Sequence, residues 1–267
     1  MHSSHEAMLT YGGHLAVLRK MVVRIILVTT ILSGVIFAFK DFTFKIILAP
    51  SESGFVTYRL IERFMSMFDP TFRFEDFNLD LIATDLSSQF MAHILTSIYL
   101  GLVCASPYIV YQLFKFVSPA LLEHERKYSV QVVTIVYVLF VAGVLMSYFV
   151  LFPISFRFLG TYSVAEKVHS SITIDSYIST FTTLTLIMGV IFQLPVVAFA
   201  LAKMRLVASH VLVEYRRWAF LIICVVAAII TPPDVMTLIL VAVPLYALYE
   251  VSIRVIKAVE RRREIND

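Results

Sequence analysis

Two glutamates, Glu123 and Glu125, stand two residues apart in the stretch Phe116-Val-Ser-Pro119-Ala-Leu121-Leu-Glu123-His124-Glu125-Arg126-Lys127. The stretch separates two long apolar runs, and its carboxylates lie among basic residues. Acids at a membrane surface with excess positive charge around them are placed to receive a cationic ligand. The pair alone does not say which cation; the rest of the chain must. Phe116 and Leu121 supply apolar surface beside the acids.

A second set of polar groups falls within or at the ends of apolar runs, where polarity is costly and usually functional. Gln193 precedes Pro195 by two residues, and a proline inside a helix frees a carbonyl about four residues earlier. Gln193 therefore either satisfies a neighbouring helix at a kink or forms a polar patch that holds a substrate or a partner helix. Glu250 ends the last apolar run one helical turn before Arg254, a spacing that predicts an interfacial ion pair. Asp234 follows Thr231-Pro232-Pro233 and is expected to cap a helix. Cys104 and Cys224 both lie inside apolar runs and read as packing residues. His93 has no second histidine or cysteine at ligand spacing, so no metal site is expected. Motifs for nucleotide phosphates, serine hydrolysis or zinc proteolysis are missing. Neither a catalytic residue nor a cofactor is therefore expected, and the basic clusters read as membrane-surface anchors rather than nucleic-acid patches.

The elements that position these groups are membrane helices. Of 267 residues, 59% are hydrophobic and only 15% charged, far from the soluble norm. Runs near the roughly 20 residues needed to cross a bilayer cover Val22–Phe39, Phe90–Val117, Val130–Phe152 and Tyr177–Ala202. Trp218–Ile230 and Val235–Tyr249 are shorter. The reading is an all-α polytopic membrane protein with six transmembrane helices, the last two short, forming one membrane domain over 1–267. The first run is too long for a cleaved signal peptide.

Six spans put both termini on one side. That side carries 15 of the 22 lysines and arginines, so it is expected to be cytoplasmic. Residues 1–21 and 251–267 are then cytoplasmic, and 40–84 and 153–176 are outer loops. The first outer loop contains Pro50 and, over Val56–Phe68, apolar residues at near-helical spacing. That pattern predicts a short amphipathic helix capping the outer surface.

Several segments together resemble the TatC family, the core receptor subunit of the twin-arginine protein translocase. Gly13-His14-Leu15-Ala-Val17-Leu18-Arg19 resembles the family's His-Leu-x-Glu-Leu-Arg opening. Leu81-Ile82-Ala83-Thr84-Asp85 precedes the second span. Phe116-x-x-Pro119-x-Leu121-x-x-His124-Glu125-Arg126 resembles the first cytoplasmic loop. Phe192-Gln193-Leu194-Pro195-Val196, Thr231-Pro232-Pro233-Asp234 and Pro244-Leu245-x-x-Leu248-Tyr249-Glu250 complete the set.

The resemblance implies a concave, glove-like bundle of six helices that binds twin-arginine signal peptides of folded precursors at the cytoplasmic face. It implies TatA- and TatB-type single-span partners, the proton-motive force as energy source, several copies in the active complex and a home in the bacterial inner membrane. It marks Glu125, Glu123, Phe116, Pro119, Leu121, Arg126, Arg19 and Leu18 as signal-peptide residues. Gln193, Pro195, Thr231, Asp234 and Glu250 become intramembrane or partner-docking residues, and Pro50 a structural loop residue. The sequence departs from the family where Val17 replaces the opening glutamate and where Thr237-Leu238 replaces a Ser/Thr-Gln pair. Glu123 is expected to compensate for the acid missing at Val17. The competing reading is a proton- or ion-coupled small-solute transporter using Gln193, Asp234 and Glu250 as a polar pathway.

Overall fold

A computed structural model describes residues 11–69, 81–117, 129–163, 171–231 and 234–266. The chain divides into two compact units, Met1–Lys40 with Ser97–Tyr137, and Asp41–Thr96 with Val138–Asp267.

The first unit holds helix α1 (Tyr11–Ala38), most of α4 (Ser88–Val117) and the start of α5 (Ser129–Met146). From Ile25 to Ala38 α1 carries no charge, so every turn tolerates hydrocarbon. Gly101 sets how closely α4 meets α1, since a Cβ there would lie 2.9 Å from the Cα of Ser33. Pro107 falls inside α4 and has no N–H for the carbonyl of Val103. The hydroxyl of Ser106 donates to that carbonyl instead, at 2.6 Å, so the helix continues.

The second unit contains the elements between the first two spans and the remaining helices. Helix α2 (Lys40–Leu48) stops at a single 3₁₀ turn, Ala49–Ser51, where Pro50 ends the helical bonding. The expected amphipathic helix is present as α3 (Val56–Met65), with further turns at 66–68. Two-residue strands β1 (Leu81–Ile82) and β2 (Ile172–Thr173) pair in parallel. Nothing in these short apolar pairs announces a strand.

Helix α5 runs through a π turn, Ser147–Leu151, into α6 (Phe152–Thr161). The third apolar run was expected to end at Phe152, but the helix continues because Pro153 is accommodated. The proline lacks an N–H for the carbonyl of Phe149, and the hydroxyl of Thr57 on α3 donates to it. The core of this unit is aromatic. Phe152 meets Tyr177 and Phe181 edge-on, each at 5.0 Å between ring centroids, and Ile47, Leu151 and Ile178 are fully buried. Polar tips of the buried tyrosines find backbone carbonyls. Tyr177 donates to Ile47 O at 2.7 Å, and Tyr58 to Pro50 O and Pro153 O, both at 2.9 Å. Burial raises the pKa of the Tyr58 hydroxyl, and the nearby Arg157 guanidinium opposes the rise.

The fourth run forms α7 (Ile174–Ile191) and α8 (Leu194–Lys203), followed by α9 (Ser209–Glu214) and α10 (Arg216–Ile230). The last helix, α11 (Val235–Asn266), packs along α8 and α10. It corrects the expectation of two short closing helices. Helix α10 has 15 residues, whereas α11 has 32. The apolar run does end near Tyr249, but Ser252, Ile253 and Ile256 remain buried, so one packed stripe carries the helix beyond it. Among the described residues five helical segments are long and apolar enough to cross a membrane: Leu15–Ala38, Ser88–Leu113, Val132–Thr161, Ile174–Lys203 and Val235–Arg262. At about 1.5 Å per residue α10 spans roughly 22 Å, short of a hydrocarbon core of about 30 Å.

Candidate functional site

Of the expected signal-peptide residues, the structure describes Leu18 and Arg19 on α1 and Phe116 on α4. Leu18 and Arg19 are exposed on α1, as is Val17, so an apolar surface stands where the resembling motif carries an acid. Phe116 is half-buried in the last turn of α4, beside the exposed Lys115. In the preceding turn the buried Gln112 donates to the hydroxyl of Tyr108 at 2.6 Å. Pro119, Leu121, Glu123, Glu125 and Arg126 lie outside the described residues, as do Pro232 and Pro233.

The intramembrane polar residues are held largely by their own helix ends. At Gln193 the backbone N–H turns to Val190 O at 3.0 Å. The carbonyl of Gly189 takes the Gln193 side-chain amide instead, at 3.3 Å. Pro195 then occupies the first turn of α8, where an N–H is not required. The side-chain oxygen of Gln193 is buried without a hydrogen-bond partner among the described residues. Thr231 closes α10 with its hydroxyl on Ala227 O at 2.9 Å. Asp234 caps α11, its carboxylate accepting from Thr237 N at 2.6 Å. Pro50 is buried and lends its carbonyl to Tyr58.

Glu250 behaves differently. The expected partner was Arg254, but its carboxylate meets Arg216 Nη2 at 2.8 Å and accepts from Tyr246 Oη at 3.3 Å. Arg216 opens α10, and α10 packs on α11, so its guanidinium crosses directly to Glu250, whereas Arg254 is exposed one turn further on. With side-chain exposures of 42% for Arg216 and 26% for Glu250, solvent screens the pair to about 0–1 kcal/mol. Two more contacts join the same regions. Tyr249 donates to Leu212 O at 2.6 Å, and Glu260 accepts from both the N–H and hydroxyl of Ser209, at 2.8 and 2.5 Å. These three contacts fasten the segment from Ser209 to Arg216 onto α11. Spacing rules along one helix could not find them. The only sequence signal is that Tyr215-Arg216-Arg217 precedes one apolar run and Glu250 follows another, at ends predicted to lie on one side.

The family model for the Sec-independent protein translocase protein TatC matches residues 13–244. The chain belongs to the TatC family. It is 32% identical over 257 residues to the Sec-independent protein translocase protein TatC of Blattabacterium sp. subsp. Periplaneta americana, covering 95% of this chain and 97% of that protein. The TatC of Carboxydothermus hydrogenoformans is 31% identical over 253 residues, covering 94% of each. Among solved structures, the crystal structure of the twin arginine translocase receptor TatC matches with a TM-score of 0.72 at 29% identity. That match covers 92% of this chain and 99% of that one. The chain is thus a TatC-family, multi-pass, all-α membrane protein of the Sec-independent translocase.

Proposed function

We propose that this TatC-family protein is the signal-peptide receptor of a twin-arginine translocase. In this reading the whole chain is one membrane domain of six spans, in the bacterial inner membrane with both termini cytoplasmic. The segment from Phe116 to Lys127 receives the paired arginines of a folded precursor's signal peptide. Glu125 is the main guanidinium acceptor, Glu123 the second, and Arg126 holds the segment at the lipid surface. Phe116, Pro119, Leu121 and Leu18 offer apolar surface to the signal's hydrophobic stretch, and Arg19 lies at the same membrane face. An exposed ion pair contributes about 0–1 kcal/mol, and a pair 4 Å apart at an effective dielectric near 20 approaches roughly 4 kcal/mol before desolvation. An interfacial carboxylate falls between these limits. TatA- and TatB-type partners, several copies of the chain and the proton-motive force complete the export of folded cargo. Gln193, Pro195, Thr231, Asp234 and Glu250 contribute to partner docking.

The likeness to a solved twin-arginine translocase receptor over nearly the whole chain supports this reading most strongly. A photoreactive residue at position 125 tests it. The expected result is a crosslink to a twin-arginine signal peptide that disappears when both arginines become lysine, together with loss of export in Glu125→Gln. A crosslink indifferent to the arginines, with export intact in Glu125→Gln, refutes it.

A further inference from the structure

Helix α3 turns two different faces outward and inward. Tyr58 is buried against the protein, and Thr57 is buried in the first turn, at the border of that face. On another face Val56, Leu60 and Phe64 repeat every four residues, and Met67 and Phe68 extend the row. All are exposed, Phe64 at 60% and Met67 at 80%. The exposed guanidinium-bearing residues Arg59 and Arg63 lie along one edge of this row, one position before Leu60 and Phe64.

The level at which α3 is fastened says what covers the row. Thr57 donates to the carbonyl of Phe149, and Phe55 stacks on the Phe149 ring at 5.9 Å between centroids. Phe149 belongs to the spanning segment Val132–Thr161 and is itself 38% exposed. It lies three residues before the end of the apolar run at Phe152 and eight before Arg157, the first charge after Lys127, so only about 12 Å of helix separates it from that charge. A helix attached there is level with the outer edge of the core, so its free apolar row continues the lipid-facing surface of the span.

We propose that α3 is an interfacial helix whose row Val56, Leu60, Phe64, Met67 and Phe68 enters the outer leaflet. Arg59 and Arg63 reach up to lipid phosphates. The apolar row meets acyl chains and the two guanidinium groups meet phosphate oxygens, the arrangement of helices that lie about 5–10 Å into the headgroup and acyl boundary. Long basic side chains at such a boundary keep their stems in the apolar layer and their heads with the phosphates.

The test uses the full chain in vesicles of phosphatidylcholine and phosphatidylglycerol. Trp218→Phe removes the one native tryptophan, and Phe64→Trp, with Leu60→Trp as a second probe, reports on the row. Glu62→Trp reports on a different face of α3. Phosphatidylcholine brominated near the top of its acyl chains is expected to remove about half of the emission at positions 60 and 64 and far less at 62. Equal quenching at all three positions, with both row probes open to an aqueous quencher, overturns the proposal. So does loss of lipid quenching at 60 and 64 when TatA- and TatB-type proteins share the vesicle, because a protein then covers the row. Quenching retained beside those proteins supports the lipid.

Discussion

Replacing Gly143 by alanine should destabilise the protein, whereas the same change at Gly34 should not. A Cβ at Gly143 would lie 2.5 Å from Met188 O and 2.9 Å from both Met188 C and Gly189 Cα, all backbone atoms of α7. A comfortable carbon–oxygen contact is about 3.3 Å or more, so α5 and α7 must separate by roughly 0.8 Å. A gap of that size forfeits a quarter to a half of each affected dispersion contact. It also stretches the hydrogen bond from Ser147 Oγ to Thr185 Oγ1, now 3.1 Å, beyond a useful length; such bonds between membrane helices are worth about 0.6 kcal/mol. Overpacking of a tight contact typically costs about 1–3 kcal/mol, and alanine's better helix propensity returns at most about 1 kcal/mol. The net loss is about 1–3 kcal/mol on these terms. At Gly34 a Cβ meets nothing within 4 Å, leaving only the propensity gain. Gly189→Ala should fall between, because the atoms it would meet, at 2.8–3.2 Å, belong to the Phe140 ring, which can rotate away. The assay is the midpoint for loss of the monodisperse peak on heating in detergent, where about 2–4 °C corresponds to 1 kcal/mol in a chain of this size. A midpoint for Gly143→Ala equal to wild type, or one for Gly34→Ala lowered as far, would refute the close-packing argument.

Tyr58→Phe strands the carbonyls of Pro50 and Pro153 that Tyr58 now serves, a loss of about 1–3 kcal/mol readable as a lowered heating midpoint with the span helices still present by circular dichroism. Arg205 holds φ at 61°, a left-handed conformation that costs a side chain about 1–2 kcal/mol; Arg205→Gly should raise the midpoint, and an unchanged or lower one means that the guanidinium contributes as much as the strain costs. Glu250→Gln breaks a screened pair worth about 0–1 kcal/mol, so its midpoint should barely move. A large export defect at unchanged stability in that variant marks partner docking, and normal export argues against it. Glu123→Gln should weaken signal-peptide crosslinking if Glu123 replaces the acid absent at Val17; full crosslinking in that variant, alongside loss in Glu125→Gln, removes the compensation idea.

The membrane class, the order of the spans and the family could be read from the sequence because each rests on local chemistry. A 20-residue apolar run crosses hydrocarbon whatever it packs against, and ordered motifs such as Phe192-Gln193-Leu194-Pro195 survive without knowing their neighbours. Caps and kinks were equally local. Asp234 accepts from Thr237 N three residues on, so spacing alone indicated its capping role, whereas the Gln193 amide turns to Gly189 O of its own helix and not to a neighbouring one. The extent of α11 was not legible, because a hydropathy drop after Tyr249 marks the end of the apolar run and not the end of the helix; burial of Ile253 and Ile256 decided that. The run from α5 into α6 past Pro153 depended on a hydroxyl from Thr57, 92 residues away along the chain from its acceptor Phe149. Arg216 rather than Arg254 meets Glu250 because neighbouring helices bring charges closer than one helical turn does. What the sequence by itself determined was which segments must avoid water and which residues cap them. Only the tertiary structure decided which distant carbonyls, carboxylates and backbones those segments meet, since such contacts depend on where two helices cross and not on the composition of either.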